Sequence, residues 1–407
     1  MPIIFGYPLT SSHLSTLALA TGQALGLCLL HQAVAQQIWP ATDLGMLIGL
    51  YLNVICLPLT LLVLWRYRGR RNLWLALASI SFFLLFSATQ AFPDISVETF
   101  VGSTDEDQVI EFFLPWGIAW LITLPMLRTA LETNQWRIPY ATLFRNSWRS
   151  YLILAESAIF TGLVWLLLLL CAALFQILGN DFFKALFTNP NFIYPVSTFA
   201  FATATQLIGS SDRFIDGVIE QILDLMKWLL PLAGFIVVSF SITLIPKLPS
   251  LFTNHEKVVD SAILLALIAA TLLLFNAAYR DGTSEPAYGH WLRQALRFVP
   301  AFLVVIALTA LYSVSVRWID GGLTPSRYWA MVTASFAVLY TAGYCYASVR
   351  SGFWLDAIKQ VNLSVSTILL ITLLASLTPV ADPLRLSVGS QVERALQAST
   401  TSIQIAP

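Results

Sequence analysis

The sequence predicts an all-α fold, a polytopic transmembrane helical bundle of about eleven spans. Three observations carry this. Of the 407 residues, 57% are hydrophobic and 11% are charged, against about 25% charged in an ordinary soluble domain. Mean hydropathy is +0.74, so lipid must be the solvent for most of the surface. The apolar residues come in blocks of roughly twenty, as in Tyr151 to Leu178, rather than the alternating ten-residue strands of a barrel.

Spans are expected at 14–38, 43–65, 73–92, 112–131, 150–178, 193–209, 223–245, 259–279, 298–316, 328–349 and 361–380. The first carries Gln23, His31, Gln32, Gln36 and Gln37, and its second half suits the interface. The sixth is short and holds Thr198, Thr203, Thr205 and Gln206. If it is re-entrant, ten spans remain. Residues 1–380 form one membrane domain, followed by a short polar tail at 381–407 that is expected to be partly amphipathic.

The positive-inside rule orients the first half. Arg66, Arg68, Arg70 and Arg71 follow the second span, and Arg128, Arg137, Arg145 and Arg149 flank the next loop on that side. Between these clusters, 93–111 carries Asp94, Glu98, Asp105, Glu106, Asp107 and Glu111 without Lys or Arg. The N-terminus is therefore expected in the cytoplasm. The first 65 residues lack Lys and Arg, so the basic region of a cleaved signal peptide is missing and the first helix is expected to be retained. In the second half the rule barely separates the eleven-span from the ten-span arrangement, and eleven is preferred.

GxxxG occurs at Gly22/Gly26 and Gly45/Gly49. Such spacing lets helices approach closely, and ordinary packing is the expected use. Pro58, Pro125 and Pro231 lie within spans, where they free carbonyls and permit kinks. Leu-Pro-Leu recurs at 57–59 and 230–232 without a repeat around it. Cys28, Cys56, Cys171 and Cys345 all sit in apolar blocks, which suits small hydrophobes rather than a disulfide or metal framework.

The motifs of catalysis are missing: there is no P-loop, HExxH, GxSxG or helix-opening GxGxxG. His13, His31, His255 and His290 are scattered singly. An intramembrane His would suit an acyltransferase, but an interfacial or hydrogen-bonding role is the simpler expectation. A non-enzymatic protein without cofactor or metal follows. Zero net charge argues against nucleic acid. The lipid bilayer is the implied partner, with a protein partner or a second copy of the chain next.

Glu156 is the one acid well inside a strong span. A carboxylate in lipid is costly and faces protein or water. It is either a proton or cation relay, or a structural acid hydrogen-bonded to a neighbouring helix or paired with Arg149. Asn276 and Gln90 stand at span ends and suit the interface. The loop Arg317-Trp-Ile-Asp-Gly-Gly-Leu-Thr-Pro-Ser-Arg327 combines glycines for a sharp reversal with Thr324 and Pro325 for the start of the next helix. Arg317 and Arg327 bracket Asp320, which suits an ion-pair knot or a lipid-phosphate site as well as a capped turn. Arg293 and Arg297, four apart, define the basic face of a short amphipathic helix lying at the headgroups.

Several short stretches carry a family resemblance. Gly322-Leu-Thr-Pro-Ser-Arg327-Tyr-Trp resembles the Gly-Leu-Thr-x-x-Arg-aromatic motif of the bacterial inner-membrane family called domain of unknown function 4153. Tyr140-Ala-Thr-Leu-Phe144-Arg-Asn-Ser-Trp148, Phe160-Thr-Gly162-Leu-Val-Trp165, Ile177-Leu-Gly-Asn-Asp-Phe-Phe183 and Leu229-Leu-Pro-Leu232 are similar to stretches of that family. Asp382-Pro-Leu-Arg-Leu-Ser387-Val-Gly-Ser390-Gln391-Val-Glu-Arg394 resembles its post-membrane signature. The resemblance implies a bacterial inner (cytoplasmic) membrane protein and brings no catalytic residues. Size and span number suit a transporter or permease-like activity. An envelope scaffold or lipid- and partner-binding protein is the alternative, and a membrane-embedded lipid- or glycan-modifying enzyme is a third.

Overall fold

The computed structural model describes residues 3–4, 7–8, 11–92, 106–135, 137–209, 212–250, 260–282, 288–350 and 357–405. Most of the acidic loop 93–111, together with His255 and Glu285, lies outside them. The helices are α1 (Ser11–Gln36), α2 (Leu44–Leu64), α3 (Arg71–Ala91), α4 (Glu106–Thr133), α5 (Tyr140–Ile177), α6 (Phe182–Phe187), α7 (Pro190–Gly209) and α8 (Asp212–Leu244). They continue with α9 (Ser261–Tyr279), α10 (His290–Gly321), α11 (Pro325–Val349), α12 (Ile358–Ser376) and α13 (Pro383–Ile405). A two-residue antiparallel pairing, Ile3 with Pro8 and Ile4 with Tyr7, is the only β pairing among the described residues.

This is an all-α polytopic bundle. Ten of the described helices are long and apolar enough to cross a membrane. Helices are the natural outcome, because every backbone N–H and C=O in lipid must be satisfied within its own segment. α7 stands outside the ten on account of its threonines, prolines and Gln206. It is nevertheless one unbroken helix of 20 residues, about 30 Å long at 1.5 Å per residue, and not a hairpin. The prolines at 58, 195, 231 and 300 all lie inside helices that continue through them.

The chain divides into two compact units. The first comprises residues 1–109, 123–138 and 145–219. Within it α2 and α3 cross at the Gly45/Gly49 pair. A β-carbon on Gly45 would lie 2.8 Å from Thr89 Cα and 2.9 Å from the Ala88 carbonyl oxygen, so only glycine permits this approach. Gly26 packs on Val54, whereas Gly22 faces open space. α7 lies antiparallel to α5: Trp165 Nε1 donates to Ser197 Oγ at 3.0 Å, and Thr205 Oγ1 donates to Ser157 Oγ at 3.0 Å. His31 of α1 packs edge-on against Tyr194 of α7, with ring centroids 5.8 Å apart.

The second unit comprises 110–122, 139–144 and 220–407. Its core gathers Leu230, Val237, Leu264, Phe275, Leu303, Ile306, Tyr344 and Ile358, all fully or nearly fully buried. A polar network lies inside it. Tyr344 donates to Asn362 Oδ1 at 2.8 Å. Asn362 Nδ2 donates to the Tyr140 hydroxyl at 2.9 Å and to Asn276 Oδ1 at 2.5 Å. Asn276, half-buried near the end of α9, is thereby tied into this network. Buried amides persist in lipid when their donors and acceptors are matched in this way.

One expectation changes here. Arg293 and Arg297 do not belong to a separate short helix; they occupy the first turns of α10, which runs unbroken for 32 residues. The polar tail is a helix, α13, of 23 residues.

Candidate functional site

The turn between α10 and α11 is where two distant stretches of sequence meet. α10 ends because Gly322 adopts φ +74°, a left-handed conformation that glycine alone takes without strain. Its N–H closes on the Trp318 carbonyl at 2.8 Å. Thr324 then caps α11, accepting from the Arg327 N–H at 3.3 Å, and Pro325 occupies the first turn. This is the capping expected from the sequence.

The end of a helix leaves carbonyls without intrahelical donors. α13 supplies donors for them. Ser387, Ser390, Gln391 and Arg394 stand at i, i+3, i+4 and i+7, on one face of that helix. Ser387 Oγ donates to the Leu323 carbonyl at 3.1 Å, and the Leu323 N–H donates back to Ser390 Oγ at 3.2 Å. Gln391 Nε2 reaches the Leu323 carbonyl at 3.0 Å. Arg394 donates to the carbonyls of Ile319 at 2.9 Å and Asp320 at 3.1 Å. A cation at a helix C-terminus also complements the helix dipole. The fit is close: a β-carbon on Gly322 would sit 2.7 Å from Gln391 Nε2 and 3.0 Å from Arg394 Cδ.

The ion-pair knot expected in this loop is not formed. Among the described residues Asp320 makes no salt bridge and is exposed. Arg327 donates instead to the Gly322 carbonyl at 2.6 Å. Arg317 donates to the Ser313 carbonyl at 3.2 Å and to Ser261 Oγ of α9. Arg327 thus serves a carbonyl of the turn, while Arg317 serves a carbonyl of its own helix and a neighbouring hydroxyl.

Beside this latch lies a cleft of about 760 Å³. Leu311, Trp318, Ile319 and Met331 give it apolar walls, while Ser315, Ser335, Ser390, Glu393 and Arg394 give it polar ones. Its volume falls in the range of small-molecule sites. Apolar walls next to a Glu–Arg rim suit a ligand with a hydrocarbon body and a polar head.

The other sequence candidates lie apart. Glu156 is half-buried on α5 and makes no hydrogen bond or ion pair among the described residues, so the pairing with Arg149 is not formed. Only 6% of the most apolar stretch of α5 is buried. Arg293 and Arg297 are both half-buried, and Arg293 donates to the Tyr288 carbonyl at 3.4 Å. Close to them, Asp224 pairs with Lys227 at 2.7 Å and with Arg280, and the Tyr288 hydroxyl donates to the Lys227 carbonyl. Burial pushes the Tyr288 phenol well up from its ordinary value. No group of three His, Cys, Asp or Glu side chains among the described residues is placed to hold a metal, and the four cysteines are free.

Sequence reasoning placed Ser387, Ser390, Gln391 and Arg394 in a signature but assigned them no contact. Their helical spacing was the available signal. The Asn276–Asn362 pair was also missed, although two asparagines in apolar spans are costly unless they meet.

Fold and composition together define a multi-pass α-helical membrane protein. The chain matches no protein-family model, no curated protein and no solved structure.

Proposed function

We propose that this is a non-enzymatic bacterial inner-membrane protein, of the domain of unknown function 4153 type, that binds an amphipathic ligand in the cleft beside α13. The observation that carries this reading is the latch: one face of α13 holds the α10–α11 turn and completes a cleft with apolar walls and a charged rim. The N-terminus lies in the cytoplasm. With α7 antiparallel to α5 and counted as a crossing, eleven spans put the cleft and α13 on the outer face. The protein then presents a lipid- or partner-binding site to the envelope. Filling the cleft tests this. Ser335→Trp should lower phospholipid retention in native mass spectrometry about tenfold or more, a loss of roughly 1.4 kcal/mol. Equal lipid adducts on the folded variant and the wild-type protein would exclude the site.

Permease-like transport is the second reading, favoured by the lone half-buried carboxylate of Glu156 in a spanning helix. Glu156→Gln should then abolish a pH-dependent phenotype while folded protein remains in the membrane. An unchanged phenotype would remove that coupling site.

A further inference from the structure

The helix α13 carries two faces of different character. One holds the α10–α11 turn through Ser387, Ser390, Gln391 and Arg394. The other is a row of apolar side chains at i, i+4, i+8 and i+12. Leu384, Val388, Val392 and Leu396 are 41, 57, 53 and 62% exposed. At 3.6 residues per turn this row is turned about a third of a circle from the latch. A continuous apolar row is not left to water without a reason. Nor does α13 cross the membrane, for it is not among the ten described helices long and apolar enough to do so.

The depth at which α13 is held says what the row meets. α13 grips the turn that joins two spanning helices, α10 and α11. α12 also spans, and its last residue, Ser376, shares a hydrogen bond of 2.7 Å with Tyr328 in the first turn of α11. Three spans therefore end at one level. Only residues 377–382 separate Ser376 from α13, whose first turn is fixed by Asp382 Oδ1 accepting from the Leu384 N–H at 3.0 Å.

Tryptophan marks the same level independently. Trp291 and Trp318, exposed near the two ends of α10, are 27 residues apart, roughly 40 Å at 1.5 Å per residue. A bilayer with its headgroups measures about 40–45 Å, and indole rings favour its two interfaces. Trp318 thus stands at headgroup depth. Arg394 of α13 donates to the carbonyl of the next residue, Ile319, whose own side chain is exposed. The lipid-facing surface of α10 therefore continues up to the latch. Charges on 382–396 balance, Arg385 and Arg394 against Asp382 and Glu393. Attraction to anionic headgroups is weak in such a segment, which leaves apolar contact as the holding force.

We propose that α13 is an interfacial helix. Leu384, Val388, Val392 and Leu396 enter the boundary between headgroups and acyl chains, while the other face grips the turn. The partner of the apolar row is the bilayer surface itself, without regard to lipid charge. The inference does not depend on a ligand in the cleft. It does hold the wall formed by Ser390, Glu393 and Arg394 at headgroup depth.

The test uses the full chain in phosphatidylcholine nanodiscs, with Cys28, Cys56, Cys171 and Cys345 changed to alanine and one spin label per molecule. Labels go on Val388→Cys and Val392→Cys in the row, and on Gly389→Cys and Glu393→Cys, both exposed and outside it. Relative to a water-soluble nickel complex, oxygen should collide with the labels at 388 and 392 several-fold more often than with those at 389 and 393. Equal ratios at all four sites would overturn the proposal. Shielding of 388 and 392 from both reagents, or spin coupling between copies, would mean that protein covers the row and would overturn it equally. Val388→Asp combined with Val392→Asp tests the row without labels. Amide exchange across 383–396 should rise several-fold in nanodiscs while exchange in α9 stays unchanged, which checks that the bundle is folded. The rise should be the same with phosphatidylglycerol added, and high salt should leave the wild-type protein as it is. Wild-type exchange in the aspartate variant, or protection that appears only with anionic lipid, would overturn the proposal.

Discussion

The hydroxyl of Thr205 donates to Ser157 Oγ at 3.0 Å, and both side chains are buried. With the Trp165–Ser197 bond two helical turns away, it sets α7 antiparallel to α5. A polar helix that the hydropathy of the chain leaves ambiguous is thus given a direction by its own polar residues.

That direction sets the accessibility of the loops. In cysteine labelling of intact cells with an impermeant reagent, Ala185→Cys and Ser326→Cys should react from outside. Arg68→Cys should react only after permeabilisation. Protection of Ser326→Cys alone would mean that α7 does not cross.

The α2–α3 crossing rests on missing β-carbons. Gly45→Ala places a methyl within 3 Å of the α3 backbone, and should destabilise the protein by about 1–3 kcal/mol through overpacking. Gly22→Ala meets nothing within 4 Å and should leave stability unchanged. Thermal unfolding in detergent separates the two; equal midpoints would contradict the close approach.

In the second unit, Asn362 serves Tyr140, Asn276 and Tyr344 at once. Asn362→Leu removes all three bonds and should cost about 2 kcal/mol, whereas Tyr344→Phe removes one bond and should cost about 1 kcal/mol. Denaturation by a graded anionic detergent would measure both. A larger loss in Tyr344→Phe would place the weight of the network elsewhere.

Release of α13 should be local. Arg394→Ala combined with Gln391→Ala removes the donors to Ile319 and Asp320 and one of the two donors to Leu323. Loss of one to two hydrogen bonds' worth of stability should raise amide exchange across 383–396 about tenfold. Exchange in α9 should stay as it is. Unaltered exchange at 383–396 would show that apolar contacts alone hold the helix.

Much of the membrane architecture can be read from hydropathy, because lipid demands long apolar segments and the basic clusters mark their ends. The capped turn at Gly322 and Thr324 is equally readable, since its chemistry is local. What escapes is whatever depends on a partner distant in sequence. Arg317 and Arg327 flank Asp320 in the chain, yet both turn to backbone carbonyls and a serine hydroxyl. Glu156 stands out by composition alone, yet it makes no ion pair among the described residues.

Apart from the Leu323 N–H, every group that the α13 face engages on the α10–α11 turn is a main-chain carbonyl: Ile319, Asp320, Gly321 and Leu323. α13 therefore recognises the path of that turn and not its side chains. Trp318, Ile319 and Asp320 are free to drift in sequence without loosening the grip, provided the residue at 322 remains a glycine. Conversely, a movement of α10 against α11 that redirects those carbonyls would release α13 with no change in chemistry at all.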